Sequence, residues 1–301
     1  MTTSNGPHPD HDRGLDFDLA TLLSRRRTFG VLFGGAATAA LAACTPSGTG
    51  TDSASSATAS GTASSSTTAA ASPSSSASSM VTRAFAECGV EIPQETAGPY
   101  PGDGSNGPNV LEASGVVRKD ITTSFGTSST KVDGVPLTVT LTLLDGSTSN
   151  GANGCAPLSG AAVYAWHCDR DGKYSLYDSG LENENYLRGV QEADANGQLS
   201  FTTIFPGAYN GRWPHIHFEV FESLSNATSA GRLLAVSQIA LTDAACRDVY
   251  ATSGYETSAA NFPNTTLKSD NVFGDDGGVY QLATMTGSAK TAYTAALNVT
   301  I

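Results

Sequence analysis

The chain has 301 residues, with 28 acidic against 16 basic side chains and a formal net charge of −12 at pH 7. No lysine or arginine cluster occurs after the N-terminal Arg25-Arg26-Arg27. Nucleic-acid phosphates and anionic lipid headgroups are therefore poor partners, since both need concentrated positive charge.

Residues 1–24 are polar, with Asp10, Asp12, Asp16 and Asp18 and no apolar periodicity. Arg25-Arg26-Arg27-Thr28-Phe29 then leads into an apolar, small-residue run from Gly30 to Ala43. That run is about 14 residues, short of the roughly 20 a membrane-spanning helix needs. A charged start, a short apolar stretch and small residues before a break describe an export signal over residues 1–43. The arginines before Phe29 resemble a twin-arginine signal. Leu41-Ala42-Ala43-Cys44 resembles a lipobox, which implies a lipid anchor on Cys44 at the cell surface and no other membrane contact. Residues 44–80 are almost wholly Ser, Thr, Ala and Gly. Such a segment buries too little apolar surface to offset its ordering entropy, so it reads as a flexible tether.

Residues 81–301 hold both tryptophans and form one domain, long enough for a single core. Leu137, Val139, Leu141 and Leu143 alternate with threonines, the period of a half-buried strand. Similar runs cover Ala161–His167, Leu199–Phe205, His215–Phe221, Leu233–Leu241 and Tyr293–Ile301. Turn signals stand between them at Asp145-Gly146, Asp171-Gly172, Asn196-Gly197 and Pro206-Gly207. The pattern predicts an all-β sandwich with long loops and little helix. Only Thr242–Tyr250 has a weak helical pattern, and Ala251–Asp276 reads as polar surface loop. After Cys44 the even set Cys88, Cys155, Cys168 and Cys246, in an exported chain, predicts two disulfides in one of three pairings, with free buried thiols as the alternative.

His215-Ile216-His217 sits in an apolar strand after Trp213-Pro214. Residues i and i+2 of a strand share a face, so both imidazoles project together and make a bidentate metal site. Hydrogen-bonded core histidines would give the same pattern. Tyr209 and Arg212 lie on the bend opened by Pro206-Gly207. Tyr174 follows Trp166 across a hairpin turn at Asp171-Gly172.

With these residues in place, the sequence resembles the intradiol ring-cleavage dioxygenases. The matching stretches are Thr96-Ala97-Gly98-Pro99-Tyr100, Gly134-Val135-Pro136-Leu137, Trp166 with Gly172-Lys173-Tyr174, Leu187-Arg188-Gly189, Thr203 to Tyr209, and Arg212-Trp213-Pro214-His215-Ile216-His217. They run in order from about Thr96 to Leu241. The resemblance implies that Tyr174, Tyr209, His215 and His217 bind one non-haem Fe(III) per chain. It makes Tyr209 and His217 the axial pair, Tyr209 also a base, Arg212 a catalytic cation and Gln238 an active-site glutamine.

The implied activity is cleavage of a catechol ring by O2 to a cis,cis-muconate-type product through an Fe(III)-catecholate. Hard phenolate oxygens suit Fe(III), and two tyrosines count against zinc and a hydrolase. The segment from Asn210 to Pro214 is shorter than in cytoplasmic members, so the pocket wall must differ and no particular catechol is implied. The alternative is a cell-surface β-sandwich binding module without catalysis.

Overall fold

A computed structural model describes residues 90–148, 154–229 and 231–301. The export signal over 1–43, the anchor at Cys44, the tether over 44–80 and Cys88 all lie outside the described residues.

The strands among the described residues, in chain order, are β1 (Pro136–Asp145), β2 (Ala156–Pro157), β3 (Ala162–Trp166), β4 (Arg188–Glu192), β5 (Gln198–Ile204), β6 (His215–Phe221), β7 (Leu233–Ala240), β8 (Thr284–Ser288) and β9 (Ala292–Thr300). The helices are α1 (Leu224–Ala227), α2 (Asp243–Tyr250) and α3 (Glu256–Asn261). One sheet is centred on β1, which pairs in parallel with β9 on one side. On its other side β1 pairs antiparallel with β5 and, at its end, with β2; β8 adds to β9. The second sheet runs β4-β3-β6-β7 and is antiparallel throughout. The architecture is the all-β sandwich that the alternation predicts.

Leu137, Val139, Leu141 and Leu143 of β1 face the core and meet Val163, Ala165, Ile216, Phe218, Val220 and Ile239 of the other sheet. β1 shows the expected buried and half-buried alternation. β3 and β6 are buried at every position. The reason is a second apolar layer outside the β4-β3-β6-β7 sheet. There Tyr100, Val110, Val116, Tyr174 and Tyr177 cover Tyr164, Trp166 and Val190. A strand buried on both faces can carry polar side chains only if they have partners or a function, and the outer face of β6 carries His215, His217 and Glu219.

Three expectations are corrected. Cys155 is disulfide-bonded, but Cys168 and Cys246 are free and buried, so no bridge joins them. Cys168 sits in the outer apolar layer and Cys246 in the sandwich core, each packed as a small hydrophobe. The interval Ala251–Asp276 is more than surface loop: it forms α3, and Tyr255, Phe262, Asp270, Val272 and Phe273 are buried. Lastly, the turn before Tyr174 closes with the Asp169 N–H donating to the Lys173 carbonyl (2.8 Å), yet no returning strand follows. Residues 167–187 form one long excursion between β3 and β4. The predicted helix, by contrast, is present as α2 with Thr242 at its N-cap.

Candidate functional site

Ile216 lies in the sandwich core, so the period of two sends His215 and His217 to the opposite face of β6. The His215 ring is aimed by Nδ1–H, which donates to the Trp213 carbonyl (2.5 Å). Its Nε2 therefore presents a lone pair, 3.0 Å from His217 Nε2. The His217 ring is held by stacking on Trp166, its neighbour across β3, with centroids 4.9 Å apart and planes 5° apart. Gly98 closes over the same ring: a Cβ there would lie 3.2 Å from His217 Cε1, and its φ is +69°.

The two tyrosines arrive from separate loops. Asp178 fixes Tyr174 by accepting from its backbone N–H (2.6 Å), and Tyr100 packs on its ring (4.9 Å). The Pro206-Gly207 bend brings in Tyr209. Gly207 N–H donates to the Asp169 carbonyl (2.9 Å), and a Cβ at Gly207 would stand 2.6 Å from the Arg170 carbonyl oxygen. Only glycine permits that approach, and it sets Tyr209 Oη 3.4 Å from Tyr174 Oη and 3.2 Å from His215 Nε2. Tyr174 is buried and Tyr209 half-buried.

All four expected ligand side chains thus converge. Their donor atoms stand 3.0–3.4 Å from one another in sequence around the cluster, close to the separation of neighbours sharing one ion at roughly 2.0–2.1 Å. His217 Nδ1 is buried without a hydrogen-bond partner. If Nδ1 carries the proton, two Nε2 lone pairs face each other; a cation between them removes that conflict. Among the described residues no group of three His, Cys, Asp or Glu side chains is placed to hold a metal. A resident ion would depend on the two phenols as well as the imidazoles, and this donor set fits a hard, highly charged cation.

Electrostatics agree with ligands waiting to be compensated. Burial, aided by the Arg212 charge, pushes His215 down to about 3. Burial and His215 hold His217 well below the usual imidazole range. Both rings are neutral at pH 7, the form that binds metal. Burial and the neighbouring Tyr209 hold the Tyr174 phenol well above its usual range.

Arg212 and Gln238 are brought beside this cluster. Arg212 Nη2 donates to Gln238 Oε1 (2.6 Å), and Gln238 Nε2 donates to the Thr96 carbonyl (2.9 Å). Gln238 is also the β7 partner of His217 in register. A residue unmarked by any sequence pattern completes the set. Asp270 accepts from Arg212 Nε at 3.0 Å and from Trp213 N–H at 2.6 Å. Burial acts to raise its carboxyl, but the Arg212 charge and backbone N–H donors outweigh it, leaving the group below its usual range.

Residues 113–228 match the family model Dioxygenase_C, described as dioxygenase; the span holds Tyr174, Tyr209, Arg212, His215 and His217 but neither Gln238 nor Asp270. The chain is similar to an intradiol ring-cleavage dioxygenase from Tetranychus urticae at 25% identity and a TM-score of 0.55. That match covers 70% of this chain and 94% of that one. A second dioxygenase crystal structure is 24% identical with a TM-score of 0.54, over 71% of this chain and 95% of that one. The dioxygenase match over the site-bearing strands and the shared fold make the folded part of this chain similar to the intradiol ring-cleavage dioxygenases.

Proposed function

We propose that the domain is a non-haem Fe(III) dioxygenase that opens catechol rings between the two hydroxyl-bearing carbons, giving cis,cis-muconate-type acids. The observation that carries this reading is the meeting of Tyr174 Oη, Tyr209 Oη, His215 Nε2 and His217 Nε2 at hydrogen-bond separations. Those four side chains would hold one ferric ion. When bound, the ion supplies the Lewis acidity and redox partner that make a chelated catechol reactive toward O2. Both oxygen atoms of O2 end in the two new carboxyl groups, so no external reductant is required.

The chain's own residues do the rest. The imidazoles complete the donor set without adding charge, which leaves the two phenolates as the protein's anionic donors. Tyr209 is the phenol an entering catechol can reach, because Tyr174 is sealed beneath Tyr100. Tyr209 Oη would therefore be the base that takes a proton from a substrate hydroxyl. Arg212 faces the negative charge that develops on the ring, a preorganised cation in a water-poor site. Gln238 holds one edge of that guanidinium.

Export and anchoring through Cys44 complete the proposal. It is supported by Arg26-Arg27, by Leu41-Ala42-Ala43-Cys44, and by the disulfide at Cys155, a bond that persists in oxidising compartments. Cys44→Ala should move the protein from the membrane fraction to the medium; continued membrane retention would remove the anchor.

Tyrosinate bound to Fe(III) absorbs visible light, so the purified full chain should be red-brown and change colour with catechol in the absence of O2. Tyr174→Phe and His215→Ala should lose iron and colour. Colourless, iron-free protein that is inert to catechol after iron loading would defeat the assignment and favour a binding module.

A further inference from the structure

Asp270 lies outside the matched residues 113–228 and outside every patterned segment of the sequence. Its carboxylate side chain is wholly covered. One oxygen, Oδ1, accepts from the N–H groups of Val272 (2.8 Å) and Phe273 (3.0 Å), fastening its own loop. The other, Oδ2, accepts from Arg212 Nε and Trp213 N–H, fastening the bend that leads into β6. A carboxylate offers roughly four lone-pair sites, and these donors occupy them. The loop carries a further contact to the site, since Phe273 stands edge-on to the His215 ring at 6.4 Å.

We propose that Asp270 is a positioning residue for the ring-opening reaction: it fixes the guanidinium of Arg212 in one orientation, jointly with Gln238, and so makes the loop around Asp270 a working wall of the active site. Its catalytic consequence rests on the ring-cleavage reading above. An arginine anchored at Nε by a carboxylate and at Nη2 by an amide oxygen cannot rotate about its last bonds. The Arg212–Asp270 pair also sums to no net charge. Arg212 then acts by directed hydrogen bonding more than by bulk attraction, so losing Asp270 should affect kcat more than KM.

Asp270→Asn keeps the shape but sets an amide N–H2 against two N–H donors. It is expected to lower kcat on catechol on the order of 10- to 100-fold, with iron content and colour retained and a small change in KM. In an Arg212→Ala background the same change should cost little more, because the effect passes through Arg212. Arg212→Lys keeps the charge but lacks the two-edged fork, so its kcat should fall nearly as far as that of Arg212→Ala. A near-normal Arg212→Lys enzyme, or Asp270 and Arg212 effects that multiply, would overturn the proposal; the lysine variant serves if Asp270→Asn does not fold.

A readout free of turnover is the Arg212 Nε–H resonance in iron-free protein, identified by its loss in Arg212→Lys. It should exchange slowly in the wild type and collapse in Asp270→Asn; persistence there would equally refute the positioning role. Wild-type protein that carries this resonance but leaves catechol untouched would instead refute the ring-cleavage reading and the catalytic consequence with it.

Discussion

At the scale of single residues, the two histidines were legible and the carboxylates around them were not. His215 and His217 announce themselves because i and i+2 on a strand share a face, whatever the rest of the chain does. Turn signals placed Tyr174, Tyr209 and Arg212 on loops, but their roles, and Gln238 altogether, emerged only through the resemblance, since one tyrosine or arginine on a loop carries no periodic signal. Asp270 has neither. Glu95 is a similar case, with a testable consequence. Burial pushes its carboxyl up to about 7, Asp275 and Asp276 acting with burial while the Gln281 amide and Arg212 oppose it.

Because the folded value lies above the ordinary one, the stability tied to Glu95 is complete below about pH 4.5 and is lost as pH rises through about 7. Asp270 is shifted in the opposite sense and weakens the fold in acid, so only a variant difference isolates Glu95. Glu95→Gln, still able to accept from Gln281, should gain roughly 1–3 kcal/mol on the wild type between about pH 5 and about pH 8 in urea denaturation. An equal gap at both pH values would contradict the assignment.

At the scale of elements, alternation located the long strands and missed the short or irregular ones. Leu137 to Leu143 predicted β1, and His215–Phe221 coincides with β6. β2, β4 and β8 were not foreseen. β2 has two residues, β4 carries a buried arginine where alternation expects an apolar side chain, and β8 is a largely exposed edge. Arg188 is buried because the Pro101, Tyr100 and Ser175 carbonyls and the Ser175 and Tyr164 hydroxyls all accept from it, partners that no local pattern displays.

The centre of the first sheet is a row of leucines, Leu199, Leu141 and Leu297, in register across β5, β1 and β9. Leu141→Ala removes the fully buried middle member and should cost about 2–5 kcal/mol, read as a lowered midpoint in chemical denaturation. A loss under about 1 kcal/mol would mean that the row is not the core it resembles. The bend at Gly207 makes a sharper demand. Gly207→Ala should separate the Tyr209 and Tyr174 loops and reduce iron retention more than stability; unaltered iron content would show that the close approach is dispensable.

At the scale of the whole molecule, the expectation of two disulfides failed at Cys168 and Cys246 for a tertiary reason. An even number of cysteines in an exported chain raises the odds of bridges, but bridging needs two side chains to meet. Cys168 and Cys246 are packed in different apolar layers on opposite sides of the second sheet. Burial pushes both thiols well above their usual range, Asp169 and Asp243 adding to it respectively, so neither presents a reactive thiolate. Peptide mapping after alkylation should find both unlabelled in the native protein and labelled in denaturant. Rapid native labelling of either would require the domain to open far more readily than its core packing suggests.

The amino-acid sequence by itself determined the sandwich, the facing of the two histidines and the bend that carries Tyr209. Each of these follows from relations within a few residues of the chain, where strand geometry or a proline-glycine pair dictates direction. Tertiary structure alone decided that Tyr174 and Tyr209 meet the histidines, that Asp270 reaches back some sixty residues to Arg212, and that two cysteines stay apart. Those outcomes depend on how separate loops pack over the outer face of one sheet, and distance along the chain carries no measure of that.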